Sequence, residues 1–370
     1  MLARGNALAR SHINIRSWSI VQMTIHKLFG IDLPIIQAPM AGAQASAMAI
    51  AVSNAGGLGS LPCAMLDAMG MRKELAIIAE KTNQPINVNF FCHTLPVADA
   101  ARDQKWRDLL APFYAEFDID PATIPTGPGR AAFNDEMADV LDEFNPKIVS
   151  FHFGLPPDHL LERAKKRGAK ILSSATTVDE ARWLEAKGVD AVIAQGLEAG
   201  GHRGIFLSDD LTTQVGTMAL LPQIIRAVKI PVIAAGGIAS AEGVRAALSL
   251  GAAAVQIGTA FLLCPEATIS TVHRNALKSD AARHTALTNV FTGRPARGIV
   301  NRVMKTIGPI NPTAPAFPLA TSAIAPLRTK VEAQGSGDFS PLWSGQNATG
   351  CREISAGDLT RELAQLVIPA

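Results

Sequence analysis

The sequence predicts an α/β fold: a (β/α)8 TIM barrel with an insertion after strand 3 and a C-terminal extension of helices and loops. Three observations support it. The 370 residues exceed the ~250 of a typical barrel by enough for both additions. Eight short apolar runs alternate with helical stretches. Glycine-rich turns follow the sixth, seventh and eighth runs, whereas an open dinucleotide-binding sheet usually carries its glycine turn after the first strand.

The predicted strands are nearly continuous apolar segments, which is typical of parallel strands covered on both faces. They lie at residues 34–40, 57–60, 86–91, 148–153, 169–174, 191–195, 231–235 and 253–257. Most are followed by an alanine-rich stretch with helical character. These helices are expected near residues 46–54, 66–81, 158–167, 177–187, 218–228 and 240–250. Each parallel crossover needs a connection of this length.

We divide the chain into a leader at residues 1–23, a barrel at 24–265 and a C-terminal extension at 266–370. Residues 94–145 are interpreted as an insertion over the barrel mouth. Within the extension, a helix is expected from residue 266 to 278 or further, and an amphipathic helix from 355 to 367. Residues 306–327 have no charge and five prolines, which predicts a folded-over loop and neither helix nor strand.

Charge and cysteine content exclude several classes of protein. The 34 Lys and Arg nearly balance the 32 Asp and Glu, so a nucleic-acid partner is not expected. Residues 33–66 are uncharged, but prolines and glycines interrupt them, which argues against a membrane span. Four separated cysteines indicate no disulfide framework and no metal site. We expect a cytoplasmic protein with small-molecule partners; organelle targeting through residues 1–22 and a homodimer remain open.

The turns after the last two strands carry the features of a phosphate site. Gly236 and Gly237 follow the seventh strand, and Ser240 can cap the next helix. The eighth strand ends in Gln256-Ile257-Gly258-Thr259, with a glycine and a hydroxyl at the matching height. Loops after strands seven and eight of a barrel commonly bind phosphate together.

The sixth strand ends at Gln195 and is followed by a loop in which Gly200 and Gly201 precede His202. We interpret His202 as a general base or hydrogen-bond donor to an anion. The alternative is a surface histidine in a turn. Arg203 would help to keep His202 neutral if the two side chains point the same way.

The end of the first strand and the interior of the third strand carry further candidate cofactor contacts. Ala38, Pro39 and Met40 end the first, and Asn89 lies within the third. A buried amide needs hydrogen-bond partners, which the edge of a heteroaromatic cofactor would supply. Met40 could lie against such a ring, although core filling is the commoner role of methionine.

Seven motifs follow one another along the chain: Ile-Gln-Ala-Pro-Met40, Asn-Val-Asn-Phe-Phe91, Glu-Ala-Gly-Gly-His-Arg-Gly204, Ala-Ala-Gly-Gly-Ile238, Gln-Ile-Gly-Thr259, the Phe291–Gly298 segment and Trp343-Ser-Gly-Gln346. Together they resemble the nitronate monooxygenases, formerly called 2-nitropropane dioxygenases. The resemblance implies an FMN enzyme that oxidises alkyl nitronates with O2 to a carbonyl compound and nitrite. It makes His202 the active-site histidine. It assigns FMN contacts to Ala38, Pro39, Met40, Asn89, Gln195, Gly200, Gly237, Gln256, Ile257, Gly258 and Thr259, and we add the adjacent Gly201 and Gly236.

One departure from the family concerns the substrate pocket. Some members line it with tyrosines, and this chain has only Tyr114. Phe91, Phe151, His152 or the proline-rich segment could form the wall instead. Two other functions remain open: a flavin-dependent enoyl-[acyl-carrier-protein] reductase that uses NAD(P)H, and a non-catalytic flavin-binding barrel.

Overall fold

The computed structural model of the chain describes residues 24, 26–124 and 130–367. The predicted leader at residues 1–23 lies outside them. The predicted limits of the barrel and of the C-terminal extension stay a prediction.

Eight parallel strands form the barrel, as predicted, and a second sheet of three short strands lies beside it. In chain order the strands are β1 (Ile35–Gln37), β2 (Gly59–Pro62), β3 (Ile86–Phe91), β4 (Ile148–His152), β5 (Lys170–Ala175), β6 (Ala191–Gln195), β7 (Gly201–His202), β8 (Val232–Ala235), β9 (Ala254–Ile257), β10 (Thr285–Thr288) and β11 (Ala296–Ile299). The barrel order is β1-β9-β8-β6-β5-β4-β3-β2. Main-chain hydrogen bonds from Gln37 to Leu58 and from Leu58 to Ile35, each 2.9 Å, close the ring.

The helices surround the barrel or belong to the C-terminal region. They are α1 (Ser46–Asn54), α2 (Ala68–Lys81), α3 (Ala100–Glu116), α4 (Asp135–Phe144), α5 (Asp158–Lys165), α6 (Val178–Ala186), α7 (Thr217–Ala227), α8 (Ala241–Ser249), α9 (Thr271–Lys278), α10 (Arg302–Ile307), α11 (Ala320–Glu332) and α12 (Ala356–Ala364). Short 3-10 turns occupy Pro121–Thr123, Leu211–Thr213, Thr259–Leu263 and Asp280–Arg283. Among the described residues, no helix is long and apolar enough to cross a bilayer.

Alternating side chains of the barrel strands fill two separate cores. Ile36, Ile193 and Ile233 belong to the cluster inside the barrel. Their neighbours Ile35 and Val192 point outward and pack with the surrounding helices. Successive residues of a strand point to opposite faces, so both faces of the sheet are covered.

The insertion after β3 contains two helices with different neighbours. Helix α4 packs between α2 and α5, the position of an ordinary barrel helix. Helix α3 packs instead on α11 of the C-terminal region. The indole nitrogen of Trp106 donates to the Ala320 carbonyl at 3.3 Å, and the Tyr114 hydroxyl donates to the Ala323 carbonyl at 2.7 Å. These contacts form a second apolar core.

The prediction that residues 306–327 contain no helix is wrong at both ends, because α10 extends to Ile307 and α11 occupies the last residues. Helix α11 begins at Ala320 and includes Pro326. A proline inside a helix removes a main-chain hydrogen bond and costs about 3 kcal/mol. Burial of Ile324 and Leu327 against α3 offsets that cost, an interaction that local composition does not reveal.

Candidate functional site

A cavity of about 400 Å³ opens at the carboxyl ends of the barrel strands. The structure brings every residue of the predicted site to its wall. These residues are Ala38, Pro39, Met40, Asn89, Gln195, Gly200, Gly201, His202, Gly236, Gly237, Gln256, Ile257, Gly258 and Thr259. Their proximity follows from the barrel, in which all parallel strands end at the same rim.

His202 reaches the cavity on a short strand that the sequence did not reveal. Strand β7 pairs antiparallel with β11, with His202 opposite Ala296. The Gln195 side chain donates to the His202 carbonyl at 3.0 Å and accepts from the Gly204 amide at 2.7 Å. The end of β6 and the second sheet therefore fix the backbone of His202 from both sides.

The imidazole of His202 is half-buried at the cavity and held through one nitrogen. Its Nε2 lies 2.9 Å from the Thr292 hydroxyl oxygen. That hydroxyl also lies 3.3 Å from the Arg294 carbonyl, which can only accept, so Nε2 is favoured as the donor to Thr292. Among the described residues Nδ1 has no hydrogen-bond partner. This arrangement leaves the Nδ1 lone pair free to accept a proton.

Aromatic rings surround the His202 imidazole. Ring centroids lie 5.3 Å away for Phe317, 5.6 Å for Trp343 and 5.9 Å for both Phe91 and Phe153. The three phenylalanine rings pack edge-to-face with the imidazole and the Trp343 ring is tilted, and these contacts fix the ring orientation.

Burial lowers the pKa of His202 well below its usual 6.5, and the nearby charge of Arg130 lowers it further. His152 and Arg294 act in the same direction. The imidazole is therefore neutral near pH 7.

Arg203 does not play the role predicted for it, which was to help keep His202 neutral. Its guanidinium is fully buried and donates to the Gly196 and Gln195 carbonyls at 2.7 and 2.8 Å, so it supports the loop.

His152, at the end of β4, lies beneath the same loop. Its Nε2 donates to the His202 carbonyl at 3.1 Å, and its Nδ1 lies 3.0 Å from the Ser174 hydroxyl. Burial lowers the pKa of His152 to about 4. Both ring nitrogens are thus occupied, and the side chain positions the His202 backbone.

The glycine turns after β8 and β9 lie side by side, because these strands are neighbours in the barrel. Gly236 and Gly237 have φ values of +123° and +69°, which only glycine adopts easily. The Ser240 hydroxyl accepts from the Gly243 amide at 3.3 Å and caps α8, as predicted. The side-chain oxygen of Gln256 is buried without a hydrogen-bond partner among the described residues.

A C-terminal segment, residues 344–347, closes over these two turns. The Gly345 amide donates to the Thr259 hydroxyl at 2.9 Å, and the Asn347 side chain donates to the Gly237 carbonyl at 3.0 Å. The Trp-Ser-Gly-Gln motif therefore completes one wall of the cavity.

Polar side chains also support the turn after β1 and the end of β3. The Met40 amide donates to the Gln44 side chain at 3.3 Å. The Asn89 side chain donates to the Ser150 hydroxyl at 2.9 Å. Met40 lines the cavity and also packs against the outer core. Its interpretation as a cofactor contact and its interpretation as a core-filling side chain are therefore both compatible with its position.

The predictions for the remaining wall are partly confirmed. Phe91 and His152 line the cavity, and Phe317 from the proline-rich segment contacts the His202 ring. The prediction for Phe151 is wrong: it points into the outer core and is fully buried. Tyr114 lies in the second core, away from the cavity.

The sequence interpretation missed wall and support residues supplied by distant segments. They are Arg130, Ser174, Thr292, Arg328, Glu332 and Trp343. Thr292 and Trp343 lie within motifs that carried the family resemblance, which was the available signal.

Comparison with known proteins assigns the family. The family model described as nitronate monooxygenase matches residues 22–365. The chain belongs to the nitronate monooxygenase family. Its members are oxidoreductases, and the predicted family and enzyme class are thereby confirmed. The chain is 43% identical to the nitronate monooxygenase of Pseudomonas aeruginosa, over 92% of this chain and 97% of the relative. It is also 43% identical to that of Paraburkholderia phytofirmans, over 91% and 92% of the two chains.

The chain is also similar to solved structures over most of its length. The nitroalkane oxidase from Streptomyces ansochromogenes aligns with a TM-score of 0.83 and 38% identity, covering 93% of this chain and 97% of that one. FabK from Thermotoga maritima aligns with a TM-score of 0.69 and 27% identity, covering 93% and 95%.

Proposed function

We propose that this protein oxidises alkyl nitronates with molecular oxygen, giving a carbonyl compound and nitrite, with FMN bound in the cavity. The observation that carries the proposal is the state of His202. Its imidazole is held neutral at the cavity wall, with one nitrogen bonded to Thr292 and the other available. A neutral imidazole can take a proton from a substrate, whereas an imidazolium could not act as a base.

The residues of the cavity fit FMN. The buried, unpartnered oxygen of Gln256 needs a hydrogen-bond donor, which a flavin supplies. The adjacent turns at Gly237 and Gly258 would hold the phosphate, where main-chain amides and the start of α8 favour a negative charge. Ala38, Pro39 and Met40 would meet the ring system. FMN, when bound, supplies an electron acceptor for the electron-rich nitronate.

The chain's own groups would prepare the substrate for oxidation. The His202 Nδ1 would remove the proton from the α-carbon of a neutral nitroalkane. It would donate a hydrogen bond to a nitronate oxygen only after taking up a proton, because its lone pair can only accept. The rings of Phe91, Phe317 and Trp343 surround the imidazole with apolar groups. An apolar surrounding strengthens the electrostatic contacts of an anionic substrate.

The direct experiment is to purify the protein, measure its visible absorbance for bound flavin, and assay nitrite and carbonyl product from ethylnitronate and propionate 3-nitronate in air. We expect both products from wild type. We expect His202→Asn to retain FMN and to lose most of the activity, about 100-fold or more. A protein that cannot be reconstituted with FMN, or a His202→Asn variant with unchanged turnover, would contradict the proposal.

The structural similarity to FabK supports one alternative function, that of an NAD(P)H-dependent enoyl reductase. It predicts rapid reduction of the bound flavin by NADH or NADPH. We expect only slow reduction by either nucleotide, because identity to the nitronate monooxygenases is higher over the same length.

A further inference from the structure

Arg130 is a half-buried cation in the cavity wall whose guanidinium has no partner of opposite charge. Among the described residues it makes no ion pair and donates no side-chain hydrogen bond. Its pKa is lowered by burial and by the nearby charge of Arg328, and no carboxylate offsets these effects. A buried, unpaired charge destabilises a protein unless a bound anion neutralises it.

The other arginines at this end of the barrel are already engaged. Arg328 donates to the Glu332 carboxylate at 3.0 Å. Arg294 donates to the Ile205 carbonyl and stacks 4.0 Å above the centre of the Phe153 ring. The Glu332 carboxylate also accepts from the Ser340 hydroxyl at 2.6 Å. Arg130 is thus the one described arginine of the cavity wall without such a partner.

Arg130 also lies close to the proposed reaction centre. Its guanidinium carbon is 5.8 Å from the centre of the Phe317 ring, and the His202 imidazole packs against the same ring at 5.3 Å. The segment that carries Arg130 is tied to the end of β3, since the Phe133 amide donates to the Phe91 carbonyl at 2.9 Å. Arg130 and His202 also line the same cavity.

We infer that Arg130 is the anion anchor of the substrate site, binding the two coplanar oxygens of a nitronate through its guanidinium. The inference rests on the proposed function and assigns a substrate-binding residue to it. A guanidinium matches a planar pair of oxygens with two parallel hydrogen bonds, as it does a carboxylate. This pairing would replace the tyrosine side chains that this chain lacks.

The test separates binding from turnover. Nitrate is a planar oxyanion that carries no oxidisable carbon, so its dissociation constant can be measured by calorimetry on the FMN-loaded protein. The variants are Arg130→Gln, which removes the charge, and Arg130→Lys, which keeps the charge but not the paired donors. Arg72→Gln removes an arginine that pairs with Glu143 on the exposed surface and serves as the control.

We expect Arg130→Gln to weaken nitrate binding at least about tenfold and to raise the KM for ethylnitronate similarly, with a smaller change in kcat. Arg130→Lys should recover part of the affinity, and Arg72→Gln should behave as wild type. Equal nitrate affinity in wild type and Arg130→Gln, or no nitrate binding by wild type, would overturn the inference. Nitrate binding that depends on Arg130, without nitrite release from any nitronate, would leave the anchor intact and reject the proposed function.

Discussion

The His202 imidazole Nε2 lies 2.9 Å from the Thr292 hydroxyl oxygen, although 90 residues separate the two in the chain. The antiparallel pairing of β7 with β11 brings them together. The C-terminal region therefore takes part in the site, because it orients the histidine supplied by the barrel.

Replacement of Thr292 by valine should reduce kcat/KM for nitronates about tenfold, because the hydrogen bond that fixes the imidazole orientation is lost. Thr292→Ser keeps the hydroxyl and should restore most of the activity. Steady-state nitrite release at several pH values measures both variants. Valine and serine variants with equal activity would show that the hydroxyl is not needed.

Acidification should destabilise the protein between about pH 6.5 and 4. Burial lowers the pKa of His93, His152 and His273 to about 4, and that of His202 well below its usual value. In this window the unfolded chain binds protons that the folded chain does not, so the free energy of unfolding falls as the pH falls.

Urea unfolding at a series of pH values measures this dependence. His152→Asn should flatten it by at most about 1.4 kcal/mol per pH unit, the effect of one proton. His159→Gln, at an exposed position on α5, is the control. A slope that is unchanged in His152→Asn would contradict the assignment of a buried, neutral His152.

Gly200→Ala should separate the His202 loop from the C-terminal segment 344–347. A β-carbon at this position would lie 2.4 Å from the Gly345 nitrogen and 2.6 Å from the Ser344 carbonyl carbon. We expect a loss of about 1–3 kcal/mol in the free energy of unfolding, and weaker FMN retention. Gly243→Ala in α8, where the new carbon meets its nearest neighbour at 3.5 Å, should be tolerated. Urea titration compares the two, and equal stability would contradict the packing described.

Gln256→Leu should raise the dissociation constant of FMN about tenfold, because the variant lacks the side-chain oxygen that lies unpartnered in the cavity wall. Quenching of FMN fluorescence on binding provides the measurement. The exposed Gln223 on α7 supplies the matched control, Gln223→Leu. An FMN affinity that is unchanged in Gln256→Leu would remove this residue from the proposed cofactor site.

The barrel and its rim could be predicted from the sequence because both depend on local patterns. Apolar runs mark strands, and residues that follow strands share one edge. The pairing of His202 with Ala296 depends on a contact across the chain, and its two-residue strand has no detectable pattern. Helix α11 was missed because burial against α3 outweighs the penalty of Pro326.

The electrostatic roles of the charged residues near His202 were harder to predict from the sequence than the positions of the site residues in the fold. Arg203 is adjacent to His202 in sequence, yet its guanidinium is bonded to main-chain carbonyls beneath the loop. The charges that act on His202 come from Arg130 and Arg294, which are distant in sequence. Adjacent residues of an extended chain point in opposite directions, so sequence neighbours are poor guides to charge neighbours.

The most direct test of the central claim is anaerobic mixing of the FMN-loaded protein with ethylnitronate, and separately with NADH, while the visible flavin absorbance is followed. We predict rapid bleaching by the nitronate in wild type, much slower bleaching in His202→Asn, and little change with NADH. Rapid bleaching by NADH with no response to the nitronate would contradict the assignment.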